Sequence, residues 1–77
     1  MNDEVNQTIA ELLSKQATPA KRRAALKRLS EVLEEDYILN LPPQRPILKG
    51  LEKLSEQTGV EPALKSKAKK LIKTYGI

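Results

Sequence analysis

The sequence predicts an all-α fold, a compact four-helix bundle formed by a single helical domain over residues 1–77. Apolar residues recur every three or four positions in four separate segments, which is the spacing of a helix with one buried face. Nowhere do apolar and polar residues alternate over five positions, as they would in a half-buried strand. Proline and glycine separate the four segments, and three segments open on a proline, which suits the first turn of a helix.

The first two helices are predicted over residues 4–16 and 19–37. Val5, Ile9, Leu12 and Leu13 place one apolar stripe on the first helix. Thr18 is a good N-cap for the second helix, and Pro19 at its first position loses no hydrogen bond that the helix needs. The apolar stripe of the second helix consists of Ala25, Leu26, Leu29, Val32, Leu33 and Tyr37.

The third and fourth helices are predicted over residues 46–57 and 62–75. The proline-rich segment 41–46 cannot continue a helix, and Gly59 suits a left-handed position after the third helix. The side chains expected to be buried are Leu12, Leu26, Leu29, Leu33, Leu51, Leu54, Leu64, Leu71 and Ile72. Tyr37 and Tyr75 also lie on apolar stripes, so both tyrosines are expected in the core.

A faint internal repeat relates the two halves of the chain. The segment 11–16 resembles 52–57, 41 positions later, and each is followed by a Pro-Ala pair. Two copies of a helix–turn–helix unit would form two αα-hairpins packed face to face. The alternative is that helix ends draw on the same small set of residues by chance.

The composition argues against an enzyme. The chain has no cysteine and no histidine, which removes thiolate chemistry, the commonest general base and the commonest transition-metal ligand. No glycine-rich phosphate loop is present. We therefore expect no catalytic residue, no metal site and no cofactor, and a function that depends on binding. The absence of cysteine also favours an intracellular protein, and no stretch approaches the roughly 20 apolar residues of a membrane span.

The charges of the second helix are placed against its own dipole. Lys21, Arg22 and Arg23 fall in the first turn, and Glu34, Glu35 and Asp36 fall in the last turn. Each end is therefore disfavoured by the helix itself. Either neighbouring helices or an outside partner must supply the opposite charge. The acidic end could face the lysines of the fourth helix, and Arg22 lies near enough to the apolar stripe to extend over the core.

The chain has a net charge of +4, and residues 37–77 alone sum to +5. Two functions are compatible with this charge. The first is a protein–protein interaction module, and the second is a basic protein that contacts nucleic acid without sequence specificity through lysine-rich helix faces. Gly50 marks a place where another backbone could come close. We expect a basic rim around an apolar groove that takes an acidic peptide with one buried hydrophobic anchor, formed by Arg45, Lys49, Gly50, Lys53, Lys69 and Lys73. No membrane partner is expected.

The segment Ala68-Lys69-Lys70-Leu71-Ile72-Lys73-Thr74-Tyr75 resembles the closing helix of the TFIIS N-terminal domain, or LW domain, family. Tyr75 stands where the family usually has tryptophan, and residues 25–29 resemble the start of the family's second helix. The family's basic pair in the third helix is absent here. The resemblance implies a helical scaffold that captures short disordered peptides in transcription complexes, and hence a nuclear location.

Overall fold

The structure, a computed structural model, describes residues 3–76. This part of the chain consists of four helices and three connections. The helices are α1, Asp3–Leu13; α2, Pro19–Ile38; α3, Arg45–Glu56; and α4, Pro62–Tyr75. These residues contain no strand, so the predicted all-α four-helix fold is confirmed. None of these helices is long and apolar enough to cross a membrane.

Helix α1 ends three residues earlier than the apolar spacing predicts. The hydroxyl of Ser14 accepts a hydrogen bond from the backbone N–H of Gln16 at 3.2 Å, and the Ala17 N–H donates to the Ser14 carbonyl at 3.3 Å. A serine side chain can offer the backbone an alternative to helical hydrogen bonds. That local competition ends the helix at Leu13, before the turn that leads to Thr18.

Both ends of α2 are capped by local chemistry. Thr18 is extended, and its hydroxyl accepts the Lys21 N–H at 3.2 Å, as its N-cap role predicts. At the other end Asn40 adopts a left-handed φ of 61°. The Asn40 N–H donates to the Tyr37 carbonyl and the Leu41 N–H donates to the Asp36 carbonyl, at 3.1 and 2.8 Å. This is a Schellman motif, in which asparagine takes the position more often held by glycine.

Helix α3 starts and ends one residue before its predicted bounds, and α4 has the bounds predicted. Gln57 is extended and leaves α3, and its side-chain amide donates to the Leu13 carbonyl at the end of α1, at 3.1 Å. Gly59 has a φ of +79°, as expected of a left-handed glycine, although it lies in the turn rather than directly at the helix cap.

The helices pack as two αα-hairpins. Helix α1 contacts α2 and α3 contacts α4 within the hairpins, while α1 contacts α3 and α2 contacts α4 between them. Across the hairpins the neighbours run in the same direction. Arg23 and Glu61 meet at the starts of α2 and α4, and Tyr37 and Tyr75 meet at their ends. The two-hairpin arrangement that the repeat suggested is therefore the one observed.

The core lies where the four helices meet. Seven of the nine predicted core residues are buried. The other two, Leu71 and Ile72, are only partly buried, because they pack against the edge of the core. The buried apolar side chains are Leu12, Ala25, Leu26, Leu29, Leu33, Ile47, Leu51, Leu54, Val60, Leu64 and Ala68. The prediction that Tyr37 is a core residue is wrong. Tyr37 is exposed, because it lies in the last turn of α2, and its ring makes a T-shaped contact with that of Tyr75.

Candidate functional site

A groove between α3 and α4 brings together three of the six predicted site residues. Its volume is about 380 Å³. Leu48 and Ile72 form an apolar floor, since both side chains are half-buried between the two helices. The rest of the lining is Arg45, Lys49, Glu52, Lys73 and Gly76. The groove is therefore an apolar depression with a mainly basic rim.

The antiparallel packing of α3 and α4 produces this groove. The first turn of α3 lies beside the last turn of α4, so Arg45 and Lys49 face Lys73 across the floor. Gly76 lines one end of the groove. A Cβ atom on Gly76 would lie 2.7 Å from the Ile72 carbonyl oxygen and 3.5 Å from a methyl carbon of Leu48, so a larger residue would collide with its own helix.

The other three predicted site residues lie elsewhere. Gly50 is buried, and a Cβ atom there would lie 3.0 Å from the Cγ2 atom of Ile9. The close approach that Gly50 permits is made by α1 of the same chain, so its assignment to a partner-binding surface is corrected. Lys53 borders a separate depression with Leu13 and Gln57, on the α1 side of α3. Lys69 is exposed on α4 but does not line the groove.

Within the part of the chain whose side chains the structure describes, the basic residues of the groove rim take part in no ion pair. Among the described side chains, those of residues 4–76, the ion pairs are Arg23 with Glu61 and Arg28 with Glu4. Arg45, Lys49 and Lys73 are exposed and take part in neither pair. Among the described residues their positive charge has no acidic partner, and Glu52 is the single acidic side chain in the described lining.

A larger depression between α1 and α2 is a weaker candidate. Its volume is about 490 Å³, but charged and polar side chains form most of its lining. The ion pair of Arg28 with Glu4 joins the two helices there. Since ligand and anchor sites are mostly apolar with a few polar groups, the α3–α4 groove fits a binding site better.

Two of the three unfavourable charges at the start of α2, Arg22 and Arg23, have partners inside the molecule. Arg22 is only 7% exposed, and its guanidinium donates to the carbonyls of Ser14 at 3.0 Å and Gly59 at 3.4 Å. Ser14 follows the carboxyl end of α1, where unpaired carbonyls carry partial negative charge. Arg23 is paired with Glu61 at 3.7 Å. Arg22 is thus a structural residue that joins two connections at one end of the bundle.

An exposed apolar surface at the other end of α2 was not predicted. Tyr37, Ile38, Leu39 and Leu41 are 69%, 73%, 59% and 52% exposed. The sequence does contain a signal for it, because three consecutive apolar residues near a helix end cannot all point toward one core. The predicted contact between this acidic end and the lysines of α4 is not seen in residues 3–76, where neither ion pair involves Glu34, Glu35 or Asp36.

No metal site emerges from residues 3–76, in which no group of three or more acidic side chains is clustered closely enough to hold an ion. Comparison of the chain with protein-family models, with curated proteins and with solved structures gave no significant match.

Proposed function

We propose that the chain is a non-enzymatic protein–protein interaction module that binds short disordered acidic peptides, each with one hydrophobic anchor, in the α3–α4 groove. The observation that supports this most directly is the apolar floor of Leu48 and Ile72 beneath Arg45, Lys49 and Lys73, which form no ion pair with any described residue. An apolar floor contributes affinity by removing an anchor side chain from water. The basic rim steers acidic segments toward it and disfavours basic ones.

The size of the groove limits what it can hold. Its volume of about 380 Å³ is at the small end of the roughly 300–1,000 Å³ typical of ligand pockets. That space suits one or two apolar side chains of a peptide whose remaining residues run over the rim. Such a contact is small, so we expect affinities in the range of roughly 1–100 μM.

The proposed cellular setting is a transcription complex in the nucleus. This part of the proposal rests on the resemblance of residues 68–75 to the closing helix of the TFIIS N-terminal domain family. In the structure those residues form most of α4, and they supply Ile72 and Lys73 to the groove.

The chain offers a well-matched test. Lys49 and Lys53 are one turn apart on α3, and Lys73 and Lys69 are one turn apart on α4, but Lys49 and Lys73 line the groove while Lys53 and Lys69 do not. The double variants Lys49→Glu/Lys73→Glu and Lys53→Glu/Lys69→Glu therefore have the same net charge. Exposed charges contribute little to stability, so both variants should fold, which circular dichroism can verify.

Binding of acidic peptides, each with a single leucine or phenylalanine, would be measured by fluorescence anisotropy, and the site would be mapped by NMR. We expect the groove variant to weaken binding at least about 10-fold and the control variant less than about 3-fold. Leu48→Ala should also weaken binding without a change in charge. Equal losses in the two double variants would show that net charge alone attracts the peptide, and a wild-type chain that binds no such peptide would refute the proposal.

A further inference from the structure

The last turn of α2 and the residues after it form an exposed projection, residues 34–41, which we call the knob. Its apolar side chains, Tyr37, Ile38, Leu39 and Leu41, are each more than half exposed. Glu34 and Glu35 precede Ile38 by four and three positions, so they flank it on the helix surface. The knob therefore combines hydrophobic side chains with adjacent negative charge.

The knob is held in a defined shape. The Schellman motif at Asn40 fixes the chain direction after α2, and the Gln44 amide donates to the Asp36 carboxylate at 3.3 Å. The ring of Tyr37 packs edge-on against Tyr75, with centroids 5.9 Å apart. Pro42 and Pro43 further stiffen the connection. Because the knob is already ordered, it loses little conformational entropy when it binds.

The charge on the knob identifies the kind of surface that would cover it. Glu34 and Glu35 lie near the negative end of the α2 dipole, and neither is paired within residues 3–76. At the start of the same helix, Arg22 and Arg23 do find partners inside the chain. A surface complementary to the knob would therefore be apolar, with positive charge at its edge.

The α3–α4 groove has those properties. We propose that the knob of one molecule occupies the groove of a second copy of the same chain, with Ile38 and its apolar neighbours over Leu48 and Ile72, and Glu34 and Glu35 near Lys49 and Lys73. Knob and groove lie at the same end of the bundle, where α2 ends, α3 begins and α4 ends. A two-fold axis can therefore place each knob in the other groove and close a dimer.

Electrostatics favours this arrangement over a direct contact between two knobs. A knob-to-knob interface would bring Glu34 and Glu35 close to their own copies, and like charges at an interface are unfavourable. The knob-to-groove contact pairs opposite charges. It uses the groove of the proposed function, so self-association and peptide binding would compete.

Sedimentation equilibrium of the full chain from about 10 μM to about 1 mM tests the inference over the range of weak association. We expect the average mass to rise from 8.6 kDa toward twice that value. Ile38→Glu should raise the dissociation constant at least about 10-fold. Ala20→Glu makes the same kind of change at an exposed position of α2 at the opposite end of the bundle, and it should leave association unchanged.

The groove variants identify the occupant. Lys49→Glu/Lys73→Glu should lose self-association, whereas Lys53→Glu/Lys69→Glu should retain most of it. In a mixture of the two variants, Lys49→Glu/Lys73→Glu supplies an intact knob and Ile38→Glu supplies an intact groove. The mixture should therefore form more heterodimer than either variant forms homodimer.

Two results would overturn the inference: a wild-type chain that stays monomeric at all these concentrations, or a groove variant that associates as well as the wild type. Neither result bears on the proposed function, which is measured with added peptide at low chain concentration. Ile38→Glu should still bind acidic peptide there, since its groove is intact. Loss of peptide binding by the wild type would instead refute the proposed function.

Discussion

The Cγ2 atom of Ile9 lies 3.0 Å from the point that a Cβ atom would occupy on Gly50. A contact this short is tighter than nine in ten real Cβ contacts, so a side chain at residue 50 would require Ile9 to move by a few tenths of an ångström. The two residues are 41 positions apart, the same offset that relates the segments 11–16 and 52–57. The contact therefore joins equivalent positions of the two hairpins.

Gly50→Ala should destabilise the domain by about 1 kcal/mol, although alanine is the better helix former by about 1 kcal/mol. The opposing cost is a steric clash of about 1–3 kcal/mol, because Ile9 is β-branched and its χ1 is restricted in a helix. Urea unfolding measures the change. In the double variant Ile9→Ala/Gly50→Ala the clash is absent, so the two substitutions should couple favourably by at least about 0.5 kcal/mol. A stabilised Gly50→Ala single variant would show that α1 and α3 separate easily.

Leu29→Ala should cost about 2–5 kcal/mol, since Leu29 is fully buried at the centre of α2. That is a large fraction of the stability of so small a domain, and thermal melting should show a largely unfolded chain. Leu39→Ala is the matched control, because Leu39 is exposed and its truncation should change stability by less than about 0.5 kcal/mol. Similar melting of Leu29→Ala and wild type would contradict the assigned core.

Arg22→Met should cost about 1–3 kcal/mol. Methionine keeps an apolar stem but cannot donate to the carbonyls of Ser14 and Gly59. Arg23→Met is the comparison, because the pair of Arg23 with Glu61 is exposed to solvent and such pairs contribute about 0–1 kcal/mol. Urea unfolding of both variants would decide the point, and equal effects would argue against a structural role for Arg22.

Asn40→Ala should cost about 1 kcal/mol, while Asn40→Gly should be neutral or stabilising. The φ of 61° at Asn40 is unfavourable for residues with a Cβ atom and costs alanine about 1–2 kcal/mol, whereas glycine adopts it freely. Chemical unfolding measures both changes. If alanine were tolerated as well as glycine, the Schellman motif would not be fixing the shape of the knob.

Mixed-sequence DNA and RNA should bind weakly at near-physiological salt. The exposed lysines of α4 can contact phosphates, but single-strand binding also needs aromatic surfaces for base stacking. The exposed ring of Tyr37 is engaged with Tyr75 and follows Glu34, Glu35 and Asp36, which repel phosphates. Titrations at two salt concentrations test this. Micromolar affinity with a steep salt dependence would favour the nucleic-acid function instead.

The spacing of apolar residues predicted the four helices and most of the core, because burial of one helix face is a local property of the sequence. The apolar spacing does not predict the end of α1, because that end depends on local hydrogen bonds to Ser14, from the Gln16 N–H to its hydroxyl and from the Ala17 N–H to its carbonyl. Tyr37 was misplaced because helical spacing says nothing about how far the core extends along a helix. The burial of Leu71 and Ile72 is overestimated for a similar reason, because both side chains lie at the edge of the core.

The groove was predicted in part. Spacing places Lys49 and Lys53 on the same face of α3, but each borders a different neighbouring helix. The identity of that neighbour depends on how the two hairpins dock. The spacing of residues within one helix does not predict this docking. Likewise, the sequence around Gly50 indicates a close approach but not that α1 makes it.

The docking of the two hairpins also constrains how the chain folds. Hydrogen bonds between the hairpins join residues 37 and 44 positions apart, from Arg22 to Gly59 and from Gln57 to Leu13, whereas the ion pair of Arg28 with Glu4 inside the first hairpin spans 24 positions. Local contacts close short loops at low entropic cost, and distant contacts close long ones. We therefore expect the meeting of the two helical pairs to limit the folding rate, and substitutions at the Ile9–Gly50 contact to slow folding more than equally destabilising substitutions inside one pair.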